Sequence, residues 1–104
     1  MSADFENFVI FPEEPGRQHK YRVVFKPGRK PEGGKKTVRF GHQKYEHFRD
    51  ATTLGAWSHK DHNDTKRREL YYARHGKMKT KDGHYAIDVY GTPAWFSARY
   101  LWPR

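Results

Sequence analysis

No cysteine occurs in this sequence, so disulfides and thiolate metal sites are excluded outright. No apolar run approaches the length of a membrane span, and the opening MSADFENF is acidic and lacks a signal-peptide pattern. An intracellular or particle-internal protein is therefore expected. Hydrophobic residues are also scarce, at 35% of the 104, which is thin for a core. A chain of this length makes one domain and buries only about two-thirds of the surface its unfolded form exposes. Aromatic residues, at 16%, offset the shortage, because each ring buries a large area.

What the chain has instead is positive charge, +9 in all, unevenly spread. Residues 1–16 hold Asp4, Glu6, Glu13 and Glu14 and no Lys or Arg. Residues 17–81 hold 19 Lys and Arg against 6 carboxylates, and residues 82–104 are balanced. The division reads as an acidic, extended, partner-docking arm over 1–19, followed by one small basic domain over 20–104. A basic body of this kind points to a polyanion; its bland alternative is a solvated surface that keeps a small protein in solution.

Periodicity and caps give the elements. Asp64 to His75, DTKRRELYYARH, predicts a helix capped by Asp64, with no Gly, Pro or β-branched residue from Lys66 onward. Gly76 is expected as a left-handed C-cap. Leu70, Ala73 and one of Tyr71 and Tyr72 are expected to face the core. Tyr21–Phe25 and Lys35–Phe40 read as two strands around a flexible basic loop, Pro27–Gly34. Tyr45–Phe48 reads as one helical turn that adds Tyr45 and Phe48 to the core, and Trp57 as the anchor of a loop over 50–63. Tyr85, Ile87 and Val89 read as a short strand or an ordered loop. Thr92 then caps a closing helix with Pro93 at its first position, and Trp95, Ala98, Leu101 and Trp102 make its apolar side. Phe8, Val9, Ile10 and Phe11, stopped by Pro12, form an edge strand or a protein-contact segment; packing on their own domain is an equal alternative.

The residues that carry chemistry do not assemble into a catalytic pattern. His59, His62 and His75, with Asp61 and Asp64, lack the helical spacing of a metal site, and no later Asn completes a metal-dependent nuclease pattern. No glycine-rich phosphate loop follows a strand, Ser2, Ser58 and Ser97 lack a nucleophile's setting, and no carboxylates pair. An enzyme is disfavoured, and no cofactor, metal, membrane or small-molecule substrate is expected. Polyanion binding has candidates: Arg29, Lys30, Lys35 and Lys36 on the hairpin, Lys66, Arg67, Arg68 and Arg74 on the helix, and Lys77 and Lys79 beyond it. Such cations bind phosphates without regard to sequence and weaken steeply with salt. The interleaved Tyr71 and Tyr72 either stack on bases or fill the core.

Taken in order, K-Y-R-V-V-F, K-K-T-V-R-F-G, H-N-D-T-K-R-R-E-L-Y-Y-A-R-H and T-P-A-W-F-S-A-R-Y-L-W resemble a family of small basic proteins of large double-stranded DNA viruses of eukaryotes. That family has no assigned function. The matching positions are Val38, Phe40 and Gly41; His62, Asp64, Arg67 and Arg68; Tyr71, Arg74 and His75; and Thr92, Ser97, Leu101 and Trp102. The resemblance covers roughly residues 20–102. Thr65 stands where family members often carry Pro, Ala98 where they carry Arg, and Ala51–Lys60 looks inserted. We read Asp64, Tyr71, His75, Ser97, Leu101 and Trp102 as a structural lock, in which Arg74 or His75 hydrogen-bonds the closing helix and Trp102 covers it.

The expected fold is α+β: a β-hairpin, or a three-stranded antiparallel sheet, packed on two short helices. The resemblance implies a viral setting, in the virion and within the infected host cell, in cytoplasm or nucleus. The expected function is a non-enzymatic basic structural protein, a minor capsid or virion-internal component that contacts the genome or acidic coat-protein surfaces. The alternative is a free, sequence-independent nucleic-acid-binding factor of viral replication or transcription. A metal-dependent nuclease is a third reading, kept only for the histidines.

Overall fold

A computed structural model describes all 104 residues. Four strands, β1 (Ala3–Asp4), β2 (Phe8–Pro12), β3 (His19–Phe25) and β4 (Thr37–His42), form one antiparallel sheet in chain order. Two helices follow, α1 (Thr65–His75) and α2 (Pro93–Tyr100), with 3-10 turns at Ser58–Lys60 and Ala86–Asp88. The α+β class is as expected, with one strand more than the widest sheet expected.

Strand alternation sorts the side chains onto two faces. Phe8 and Ile10 of β2 pair with Phe25 and Val23 of β3, and Val23 and Tyr21 pair with Val38 and Phe40 of β4. All of these are buried. α2 lies across them, with Phe96 fully buried against the rings of Phe8, Phe25 and Phe40 and Leu101 buried beside them. Thr92 caps this helix by accepting from the Trp95 amide at 3.1 Å, with Pro93 next in line. No helix packs on the opposite face of the sheet, whose Lys20 end is closed by residues 45–47. On that face Val9, Val24 and Phe11 are half-buried, and Glu13 bonds both Arg39, at 2.9 Å, and Arg22, at 3.5 Å.

Residues 1–19 are thus not an arm. β1 and β2 belong to the sheet, and two of the four acidic residues meet basic partners outside the segment: Asp4 meets Lys26, and Glu13 meets Arg22 and Arg39. Phe8 and Ile10 are core residues of their own domain, which removes them from the protein-contact candidates and leaves Val9 and Phe11 on the helix-free face.

α1 forms where expected, its Asp64 carboxylate accepting from the Lys66 and Arg67 amides at 2.9 and 3.2 Å. It buries no residue fully. Leu70 is 53% exposed rather than core-facing, because the helix docks through its tyrosines instead. Gly76 is not left-handed: at φ −64° it prolongs the right-handed turn, and its amide bonds Tyr72 O. Tyr45 is 67% exposed rather than buried, because residues 42–48 turn without forming a helix and put Gln43, His47 and Phe48 inside instead. Trp57 is the buried anchor of its loop, and Ala86–Asp88 form a 3-10 turn, the ordered-loop alternative rather than the strand.

Candidate nucleic-acid interface

The closing motif locks the two helices, though by other groups than expected. α1 meets α2 and the residues after it through Arg68 at Pro103 and Tyr71 at Ser97. Tyr72 donates its hydroxyl to Trp102 O at 2.6 Å and lies 3.2 Å from Ala98 O, so one phenol meets carbonyls left open at the end of α2. Trp102 lies flat on Tyr71, ring centres 4.3 Å apart and planes 7° from parallel, and His75 stacks on the same tyrosine at 4.6 Å. Neither Arg74 nor His75 hydrogen-bonds the closing helix. Trp102 is half-buried, and Leu101 is the residue driven fully inside.

Between α1 and the edge strand β4 runs a cleft of two adjoining hollows, of about 350 and 230 Å³. They share Glu46, Tyr71, His75 and Trp102. Gly41, Phe40 and Leu101 lie along one side, Ser97 and Pro93 come from α2, and His42 and Tyr45 stand across from α1. Gly41 has φ +74°, and a Cβ there would sit 2.6 Å from Leu101 Cδ1 and 3.2 Å from Lys20 Cδ. That accounts for glycine at the end of V-x-F-G: the backbone passes too close to two side chains for any other residue. In this antiparallel ladder Lys36 O accepts from the Phe25 amide, so by alternation the N–H and C=O of Thr37 and Arg39 point away from β3.

A buried polar network holds the wall of that cleft. Lys20, 2% exposed, donates to Tyr45 O at 2.6 Å and to His47 Nδ1 at 2.9 Å, and His47 Nε2 meets Asp61 at 2.6 Å. With Lys20 charged, His47 must be the neutral Nε2–H tautomer, accepting from the ammonium and donating to the carboxylate. Beside it, Asp50 accepts from the Tyr21 hydroxyl, from Thr52 and from the Trp57 amide. Burial, with Lys60 nearby, lowers the Lys20 pKa to about 8, and burial together with Lys20 lowers that of His47. Burial raises Tyr21, and the Asp50 hydrogen bond raises it further. These groups tie residues 45–61 to β3 and present Tyr45 and Glu46 to the cleft.

The expected cations divide three ways. Lys66, Arg74 and Lys77 are exposed and their side chains are unpaired, as are those of Lys35 and Lys36 on the hairpin. Arg67 bonds Glu46 across the cleft at 3.0 Å, and Lys79 lies over Tyr85. Arg68 is not a free cation. It covers the Phe48 ring at 4.6 Å, bonds Glu69 and donates to Pro103 O. Arg29 and Lys30 bond Asn7 and the hairpin's own carbonyls, on a loop whose Pro31 lies against Gly91 ahead of α2. The hairpin cations and the α1 cations therefore stand on separate elements.

Of the histidines, His62 lies between Phe48 and Trp102, His59 is exposed beside Trp57, and His75 lines the cleft. No three histidine or carboxylate side chains gather to hold a metal ion. No helix is long and apolar enough to cross a membrane. The Lys20–His47–Asp61 chain and the Tyr72 tether were not visible in the sequence. The one local signal was Asp50-Ala51-Thr52, whose carboxylate turns back on Thr52 as Asx turns do. Compared with family models, with curated proteins and with solved structures, the chain matches none.

Proposed function

We propose that this chain is a sequence-independent nucleic-acid-binding protein whose contact face is α1 and the cleft beside it. The observation that carries the reading is the use α1 makes of its surface: it buries no residue fully, yet presents Lys66, Arg67 and Arg74 outward, with Lys77 just beyond. Cations on a rigid helix and just past its end, of which Lys66, Arg74 and Lys77 are unpaired, release counterions from a phosphate backbone without reading bases. No triad, metal cluster or phosphate loop accompanies them, so the reading is a binding protein rather than an enzyme.

The resemblance to proteins of large double-stranded DNA viruses sets the context of the proposal: a non-enzymatic virion-internal or minor capsid component packed with the genome. Val9, Phe11 and Val24 on the helix-free sheet face favour a coat-protein neighbour as well, since half-buried apolar side chains on an open sheet suit a protein surface. The free replication or transcription factor shares the chemistry and differs in copy number, which counting the protein in purified particles separates. Titrating the full chain with random-sequence DNA across a salt series tests the binding itself. Four phosphate contacts predict a slope of log affinity against log salt of about −3.6 on duplex and about −2.8 on single strands; no binding at low salt refutes the proposal.

A further inference from the structure

We infer that the cleft between β4 and α1 receives an unpaired nucleobase, so that the protein prefers single-stranded to duplex nucleic acid. The inference rests on the nucleic-acid reading above and names its substrate class. Phosphate contacts by α1 do not require a cleft; a base does. A base needs a flat apolar wall, polar groups for its edge and a cation near its phosphate, and the cleft supplies each.

The wall is made of the rings of Trp102, Tyr71 and His75, in which Trp102 and His75 each stack on Tyr71 and the Tyr71 and Trp102 planes are 7° from parallel. Across from it stands Tyr45, two-thirds exposed and leaning on His42 at 4.9 Å. The fold makes no core use of this phenol ring, although the network under it holds its backbone through Lys20. Polar groups line the space between: the Glu46 carboxylate, the Ser97 hydroxyl and the His75 ring nitrogens, the last without a hydrogen bond within the chain. Arg74, unpaired, and Arg67, held by Glu46 at 3.0 Å, line the adjoining hollow where a phosphate would follow. At about 350 Å³ the larger hollow is at the small end of ligand sites. Paired and stacked bases hide their faces inside a duplex, so only an unpaired base offers one to these rings.

The test is a tryptophan-fluorescence titration of the full chain with an oligodeoxythymidine of about 12 nucleotides, within the site sizes of small single-strand binders. A random-sequence duplex and polyglutamate are run at the same salt. The expected result is quenching by the oligonucleotide and affinity about ten-fold or more above that for duplex. Tyr45→Ala should weaken oligonucleotide binding about ten-fold and leave the thermal melt in place, since the ring is exposed; His75→Ala should weaken it similarly. Duplex bound as tightly as the single strand, or full single-strand affinity in Tyr45→Ala and His75→Ala, overturns the inference while the nucleic-acid reading stands. Binding to neither nucleic acid overturns both. Polyglutamate bound as tightly as the oligonucleotide also overturns both and assigns the cations to an acidic protein surface.

Discussion

Replacing Gly41 by Ala probes the contact on which the cleft floor depends. Two independent costs arise. At φ +74° any Cβ meets its own carbonyl, at about 1–2 kcal/mol. The new methyl also falls 2.6 Å from Leu101 Cδ1 and 3.2 Å from Lys20 Cδ, and relieving such overlap costs about 1–3 kcal/mol. The total of about 2–5 kcal/mol is a large part of the ~5–15 kcal/mol that holds a domain of this size. Urea unfolding should show the midpoint falling by about 1–3 M with little change in slope. Leu101→Ala alone should cost about 2–5 kcal/mol, because that side chain is fully buried. The double variant separates the two terms: removing the leucine makes room for the methyl, so the pair should cost about 1–3 kcal/mol less than the sum of the singles. An unchanged midpoint in Gly41→Ala refutes the whole account. Additivity within about 0.5 kcal/mol refutes the close approach to Leu101 and leaves only the backbone term.

Other outcomes follow from the same geometry. Lys66→Glu, Arg67→Glu and Arg74→Glu together should abolish nucleic-acid binding while the far-ultraviolet circular dichroism is retained; Arg68 is excluded from the set because it braces Phe48 and Pro103. Tyr72→Phe should cost about 1–2 kcal/mol by leaving the Trp102 carbonyl without its donor, and an unchanged melting temperature would count against the tether. Acid should destabilise the protein: burial holds His47, His62 and His75 below the usual 6.5. As pH falls through 6.5 the unfolded chain therefore takes up protons that the folded chain resists, and stability falls; a melting temperature flat between about pH 7 and 5 would contradict this. Lys20, lowered from 10.5 to about 8, acts at the other end of the scale. Above pH 8 the unfolded chain keeps a proton the folded one releases, so stability should rise toward pH 9.5, and Lys20→Met should remove that rise.

Much of this was legible where the determining interactions are local. Asp64 and Thr92 cap their helices through amides two or three residues on, and Pro93 fits a first turn by its own ring. The alternation in Lys35–Phe40 placed Val38 and Phe40 on one face, where they are buried. What was not legible depends on partners distant in the chain. The first 16 residues carry only negative charge, yet Asp4 and Glu13 find their counterions on β3, β4 and the residue after β3. Lys20 precedes the predicted strand Tyr21–Phe25 and nothing local marks it for burial; that requires His47 and Asp61, which close over it from a loop. Leu70 is the more apolar choice for a core position, but Tyr71 and Tyr72 bring both a ring and a hydroxyl, and the end of α2 offers open carbonyls for the second. The binding face was half legible. Lys66, Arg67 and Arg74 stand outward as a charge count implies, whereas Arg68, the same residue type one position on, is taken by the fold.

The order in which the chain covers its sheet has a consequence for synthesis. The strands pair only with chain neighbours, and the last of them ends at His42. The helix that covers their apolar face begins at Pro93, 51 positions later. At translation rates of about 5–20 residues per second, a ribosome leaves Phe8, Ile10, Phe25 and Phe40 waiting for Phe96 for roughly 3–10 s. During that interval the growing polypeptide carries a ready ladder with a greasy side open to chaperones or to its siblings on the same message. A premature stop before Pro93 would make the exposure permanent, so truncated products should be found with chaperones or in aggregates rather than as a shorter working protein.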